Sequence, residues 1–489
     1  MIDKINKKDS VSSIKKNFIY NSLLSVSRIL FPLISFPYSS RILGPDGTGK
    51  VNFIDSYTQY FCLVAALGVP LYGVREVAKL KNKPAELGKL TSELLTLNFI
   101  SSLFLCVIFY AVAFLTHKFD LYNTLYILGS MVLLLNSFFA EWFFQGMEQF
   151  RYVSSRSFLM NIVSIILLFT LVRTADDINW YYGITVIVLL VNVMFNMWRM
   201  RKLAPLRLKN LEYRKHLKPL FLLFSTQIAI SVYVVLDKVI LGYMAEDKYV
   251  GYYAAALKIA KILLTVISAL SIVMMPQMSK AFEEKNNERV RNLFNKSSNF
   301  VITIGIPITV GLMCLSNEII LLLSGKEFAP AALALQIIAP IVFMVGFNNI
   351  FGIQILTASG KESILLRCVI IGTVFNVGLN LLLIPSLKHE GAAIAILITE
   401  GMVTVLTGYY GCREIGVKFD WKQTFIVIIC CLPFWLIHKL VASNNMLLTI
   451  SMSVVISALY YMLIQVFVLK NELWVENYLR IKALVHERI

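Results

Sequence analysis

Four charged side chains stand inside apolar runs, where lipid normally excludes charge. Asp237 and Lys238 lie deep in the run near 217–243, and Lys258 and Lys261 lie in the next, near 250–275. Lys258, Lys261, Thr265 and Ser268 recur at i, i+3, i+7 and i+10, which places all four on one stripe of a helix. An ammonium at the centre of a bilayer costs roughly 2.5–3.5 kcal/mol on insertion scales, so such a stripe faces a bundle interior or an aqueous cavity. A cationic cavity points to an anionic cargo. Lys238 has a blander reading, pairing with Asp237 or snorkelling to an interface, whereas Lys258 and Lys261 have no acidic neighbour in sequence.

The first apolar run carries Asn21, Ser25 and Arg28 at i, i+4 and i+7, and Pro32 and Pro37 interrupt it. Proline frees backbone groups and lets a spanning helix bend, which suits a moving gate; a kinked packing helix with Arg28 near the cytoplasmic interface fits the same residues. Arg41 stands at the other end of that run, lumenal or interfacial, ahead of a turn at Gly44-Pro45-Asp46-Gly47. That turn resembles a phosphate-cradling loop only by eye, because Val51 replaces the Ser or Thr that such a loop needs.

Further along, Asn136 and Glu141 fall in the fourth run, Glu318 in the ninth, Asn376 and Asn380 in the eleventh and Glu400 in the twelfth. Amides in membranes often join helices, so Asn376 reads as glue or as a substrate contact. Buried acids are better places for a coupling ion, H+ or Na+, and Asp237, Glu141 and Glu400 rank first; Glu318 is nearer an outer interface. The five histidines are dispersed and no His-Glu-x-x-His pattern occurs, so neither zinc chemistry nor a cofactor is expected. The seven cysteines lie scattered in apolar runs and read as small hydrophobes.

These residues need a membrane scaffold. With 57% hydrophobic and 15% charged residues in 489, and a mean hydropathy of +0.71, the chain is a polytopic all-α membrane protein. About fourteen apolar runs reach spanning length, near 17–42, 51–74, 92–115, 121–144, 153–173, 179–198, 217–243, 250–275, 299–323, 331–356, 363–384, 391–411, 424–440 and 446–469. The +17 formal charge, a nucleic-acid signature in a soluble chain, sits mainly in the N-terminus and even-numbered loops such as Arg199–Lys218. It therefore reports topology, with both termini cytoplasmic, and no nucleic-acid partner is implied. Nothing at the N-terminus reads as a cleaved signal peptide.

The polar stretch 199–218 divides two sets of six runs, giving lobes at 1–205 and 206–414 and a remainder, 415–489, with runs thirteen and fourteen and a cytoplasmic tail. Ile42-Leu43-Gly44 resembles Ile240-Leu241-Gly242, and Gly146-Met147-Glu148 resembles Gly360-Lys361-Glu362, in the same order in each set. Six spans per set means both enter from the cytoplasm, as parallel repeats about an axis normal to the membrane.

Several stretches carry a family resemblance: Phe36-Pro37-Tyr38-Ser39-Ser40-Arg41-Ile42-Leu43-Gly44-Pro45, Leu236-Asp237-Lys238-Val239-Ile240-Leu241-Gly242, Gly251-Tyr252-Tyr253-Ala254-Ala255-Ala256-Leu257-Lys258-Ile259, and Gly360-Lys361-Glu362 ahead of Asn376. On these the chain resembles the polysaccharide-exporting branch of the multidrug/oligosaccharidyl-lipid/polysaccharide flippase superfamily, and looks most like the Wzx-type flippases of O-antigen or capsule repeat units. The resemblance implies alternating access through a cation-lined cavity in the bacterial inner membrane, with an undecaprenyl-pyrophosphate-linked oligosaccharide as cargo. Arg28, Lys258 and Lys261 would then contact the head group, with Lys238, Arg41 and Asn376 as further contacts. Membrane lipids, a polysaccharide polymerase and chain-length proteins are the implied partners. A cation-coupled drug exporter of the same superfamily, a flippase for the lipid-linked peptidoglycan precursor and a membrane enzyme are the alternatives; the last lacks the large outer loop or clustered acids it would need.

Overall fold

The computed structural model describes residues 2–207, 210–417, 419–476 and 478–479, with side chains described from residue 31 onward except at 222, 223, 225–235 and 272. Where no water is available, backbone N–H and C=O groups must pair within their own segment, and a chain rich in long apolar runs folds as helices. Among the described residues there is helix and no strand. Among the described residues ten helices are long and apolar enough to cross a membrane, or eleven when the pair Phe31–Ala65 and Val69–Leu80, bent by 45°, counts as one span. Large apolar side chains point outward along them, among them Phe104, Val107, Val374 and Leu382. Such faces match lipid rather than water.

By contact the chain forms two compact units, Met1–Gly251 and Tyr252–Ile489. The first holds α1 (Ile2–Ala65), α2 (Val69–Leu80), α3 (Pro84–Leu115), α4 (Asn123–Phe139), α5 (Glu141–Gly146), α6 (Phe150–Leu171), α7 (Ile178–Leu203) and α8 (Arg214–Met244). The Gly44-Pro45 stretch, expected as a four-residue turn, is a one-residue break. Gly44 alone leaves helical geometry, at φ 64°. Pro45 then opens the next turn, where its missing N–H costs nothing, and Asp46 and Lys50 pair at 2.6 Å along that new helix.

The expected fourth span, 121–144, is also interrupted. Ala140 takes φ 42° and ψ 39° and separates α4 from α5. A left-handed residue with a Cβ costs about 1–2 kcal/mol, and packing around it supplies the compensation. Trp142, Phe143 and Phe144 lie buried against Val69, Tyr72, Leu94 and Leu220. Gly73 of α2 permits this approach: a Cβ there would sit 2.4 Å from Cε3 of Trp142.

The second unit begins within α9 (Asp247–Glu283) and continues with α10 (Asn287–Phe300), α11 (Ile306–Cys314), α12 (Ser316–Ser324), α13 (Ala331–Ile338), α14 (Ile341–Asn348), α15 (Glu362–Ile415), α16 (Trp421–Cys431), α17 (Pro433–Val441) and α18 (Met446–Leu463). A π-helical turn, Val301–Gly305, joins α10 to α11 just before Pro307. Proline there removes one N–H and crowds a preceding carbonyl, and the wider turn relieves both. The 54 residues of α15 include a break at Lys388, φ 52° and ψ −124°, which leaves two arms, each of spanning length. The expected loop between runs eleven and twelve is therefore a single strained residue.

Candidate functional site

A polar cavity of about 500 Å³ lies inside the first unit, lined by Asn98 of α3, Asn136 of α4, Glu141 and Gln145 of α5, Asn161 of α6 and Asn192 of α7. The break at Ala140 makes it. Had α4 continued, its backbone would have stayed paired and Glu141 would have kept helical register; instead α5 starts at Glu141 and Phe139 ends α4 with its carbonyl freed. Irregular backbone at membrane depth is tolerated where it lines a cavity or is buried in protein, and here it does both.

The freed Phe139 carbonyl accepts a hydrogen bond from Nδ2 of Asn196, and Asn196 Oδ1 in turn accepts from Arg156 and, at 3.1 Å, from the Tyr152 hydroxyl. Arg156, 6% exposed, also donates to Glu141 Oε2 at 3.2 Å. Its guanidinium stands 5.2 Å from the ring centre of Phe139 and 5.6 Å from that of Tyr152. The second oxygen of Glu141 accepts from Gln145 at 3.2 Å. The acid and the base therefore neutralise each other, and among the described residues the cavity wall is otherwise uncharged. Chemically this is a neutral site rich in amide donors and acceptors.

A second buried polar chain fixes the connector between α7 and α8. The Tyr72 hydroxyl is 2.8 Å from His216 Nδ1, and His216 Nε2 is 2.7 Å from Glu93 Oε2. Glu93, completely buried, also accepts from the Glu212 backbone N–H at 2.7 Å and pairs with Lys215 at 3.1 Å. Beside it, the Arg207 N–H donates to Ser92 Oγ at 2.9 Å. Outside the helices, hydrogen bonding from Lys89 and the charges of Lys89 and Lys215 hold the Glu212 carboxyl below its ordinary range. Helices α3 and α8 and the connector thus meet on one carboxylate, and α2 joins them through His216.

In the second unit the stripe on α9 is partly absorbed into protein. Ser268 accepts from Asn349 at 3.1 Å, and Ser271, one turn on, accepts from Gln354, whose own oxygen accepts from Ser297. Both amides lie in the π-helical segment Asn349–Thr357. The lysine end is more open, with Lys258 half-buried and Lys261 exposed. Asn376 is fully buried, accepts from Asn380 at 3.1 Å and leaves its Nδ2 without a partner. Glu400 is buried on the second arm of α15. In the first unit Asp237 is buried, the Lys238 ammonium is 3.5 Å from Asn52 Oδ1, and Arg41 is exposed. Arg28 lies outside the residues whose side chains are described.

Of the residues singled out by sequence, Glu141 and Asn136 come together in one cavity, as do Asn376 and Asn380 in one pair. Arg156, Asn196, Glu93 and His216 are not assigned to a site by sequence. An acid in the first turns of an apolar helix, Glu93, and a histidine in the basic stretch 199–218, His216, were the available hints.

The family model described as "Polysaccharide biosynthesis protein" matches residues 14–282, more than half of the chain. The chain belongs to that family. A second model, MatE, matches residues 223–382. Among relatives, it is 26% identical to the Escherichia coli (strain K12) protein named "Putative O-antigen transporter", over 81% of this chain and 95% of the relative. It is 22% identical to the capsular polysaccharide biosynthesis protein CapF of Staphylococcus aureus, over 82% and 99%. The fold is similar to that of the solved structure described as "Lipid II flippase MurJ, inward closed conformation", with a TM-score of 0.71 at 15% identity, covering 92% of this chain and 99% of that one. An inward-facing multidrug resistance MATE family transporter of the MOP superfamily matches with a TM-score of 0.66 at 14% identity, over 82% and 98%. The superfamily resemblance read from the sequence is borne out.

Proposed function

We propose that this protein is a flippase that moves an undecaprenyl-pyrophosphate-linked oligosaccharide repeat unit across the bacterial inner membrane by alternating access, for O-antigen, capsule or exopolysaccharide synthesis. The observation that carries the reading is a polar cavity opened by a broken helix inside an apolar helical protein, in a chain that belongs to a polysaccharide biosynthesis family. The names of its relatives point the same way.

The roles divide by chemistry. Lys258, Lys261 and Arg28 meet the pyrophosphate by charge-assisted hydrogen bonds, with Lys238, Arg41 and Asn376 as further contacts. An apolar cavity of about 530 Å³ in the second unit, with Leu263, Ile308, Phe434 and Leu459 in its wall, suits part of the lipid tail. Asp237 and Glu400 carry the coupling ion, H+ or Na+; Glu141 has Arg156 as its counter-charge and belongs to the polar cavity instead. Fourteen spans follow when α1 and α15 each count twice at their breaks and α8 counts once. They form parallel six-helix lobes at 1–205 and 206–414 with two further helices, and both termini face the cytoplasm. A polysaccharide polymerase and chain-length proteins would take up the product.

The test is complementation. In a strain lacking its own repeat-unit flippase, the wild-type chain should restore surface polysaccharide, and Lys258→Gln with Lys261→Gln, at equal membrane abundance, should not. Full restoration by the double variant would remove the lysines from the mechanism, and failure of the wild-type chain in its own strain would remove the flippase reading.

A further inference from the structure

Resting on the flippase reading, the cavity behind the Ala140 break admits a narrower statement about what it holds. We propose that it is a sugar subsite, taking one neutral end of the glycan, a mono- or disaccharide portion, and excluding the pyrophosphate.

Charge decides against the phosphate. Among the described residues the only charged group in the wall is Glu141, an anion whose partner Arg156 is already bonded to it and to Asn196. A pyrophosphate entering here would meet a carboxylate with no spare cation among the described residues. A neutral polyol meets no such penalty.

The hydrogen-bonding inventory decides for hydroxyls. Asn136 and Asn161 line the cavity with no protein hydrogen bond from either side chain among the described residues. Asn192 spends its Nδ2 on the Val188 carbonyl at 2.8 Å, which leaves its amide oxygen as an acceptor. Each side-chain amide presents donors and an acceptor close together, and each sugar hydroxyl is both donor and acceptor, so neighbouring hydroxyls can be bonded in pairs. The Glu141 carboxylate has acceptor capacity beyond its bonds to Arg156 and Gln145 and takes a stronger, charge-assisted bond from a hydroxyl. Size agrees, since about 500 Å³ lies within the roughly 300–1,000 Å³ of small-molecule sites. Phe139, Trp142 and Met160 add apolar surface for the C–H faces of a ring.

Rigidity completes the argument. A site that discriminates hydroxyls must hold its polar groups before the ligand arrives. The Phe139 carbonyl, Asn196, Tyr152 and Arg156 form a connected set of bonds behind Glu141, so Arg156 and Asn196 act as positioning residues.

The experiment uses the full chain in lipid nanodiscs, with a panel of methyl glycosides of neutral hexoses and N-acetylhexosamines, and inorganic pyrophosphate, as the probes. Binding is followed by saturation-transfer NMR. At least one glycoside should bind, pyrophosphate should not displace it, and Asn136→Leu or Asn161→Leu should each weaken it by about tenfold. Asn161→Gln should retain more affinity than Asn161→Leu, which a loss of folding would not reproduce. Absence of binding across the panel, displacement by pyrophosphate, or equal affinity in the leucine variants would overturn the subsite. The flippase reading fails separately, by absence of lipid-linked oligosaccharide transport, since glycoside binding is measured without transport.

Discussion

Replacing Glu93 by alanine should release the connector between α7 and α8. Glu93 is fully buried and accepts from the Glu212 N–H and His216 at 2.7 Å each, with Lys215 at 3.1 Å. Lys215 is about half exposed, so its pair adds no more than about 1 kcal/mol. His216 is 2% exposed. Stripping the carboxylate from a buried partner of this kind costs about 3–5 kcal/mol, and the lower end applies because the connector can relax towards water. A local destabilisation near 3 kcal/mol raises the open population about a hundredfold. Trypsin should therefore cut the basic connector, 199–218, about a hundredfold faster in Glu93→Ala when opening is fast relative to cleavage. Glu93→Gln keeps one acceptor and one donor, and should fall between the two. Glu212→Gln, which keeps the backbone N–H that Glu93 uses, should change cleavage little. Unchanged cleavage in Glu93→Ala would refute the claim that this carboxylate holds the connector.

Three further outcomes follow from the packing and backbone. Gly73→Leu drives a side chain into Trp142, whose Cε3 is already 2.4 Å from an added Cβ; thermal unfolding in detergent should show a loss of about 1–3 kcal/mol or more, with quenched or shifted tryptophan emission. Asn196→Leu leaves the Phe139 carbonyl and the Arg156 guanidinium without a shared partner, and should cost about 3 kcal/mol in the same assay, more than Asn192→Leu, whose only donor bond is local. Lys388→Gly relieves a side chain held at φ 52° and ψ −124° and should raise stability by about 1 kcal/mol, read as a higher unfolding temperature.

Spans were legible where apolar runs are long and uninterrupted. The run near 179–198 is α7, Ile178–Leu203, and those near 424–440 and 446–469 are Trp421–Val441 and Met446–Val468. Such helices follow from hydropathy alone, because lipid leaves the backbone no other way to pair. Breaks were not legible. Phe139-Ala140-Glu141 contains neither glycine nor proline, and its left-handed residue is imposed by tertiary packing around Trp142 and by the Asn196 bond to Phe139. Proline marks the π-turn at Val301–Gly305 only in retrospect. The site divided in the same way. Glu141 and Asn136 stood out as polar residues in an apolar run, but the partner of Glu141, Arg156, lies in the next span, and the Glu93–His216 contact joins residues 123 apart. Sequence marks which polar groups need explanation; only the packing of helices tells which of them meet.

Transport in vesicles tests the central claim most directly. The protein is reconstituted with a labelled undecaprenyl-pyrophosphate oligosaccharide in the outer leaflet, and an added lectin or hydrolase reports how much stays accessible. The account predicts protein-dependent loss of accessibility, slowed by Lys258→Gln with Lys261→Gln. No movement of that lipid beyond protein-free vesicles, together with export of a cationic dye from the same preparation, would contradict it and make the chain a drug exporter.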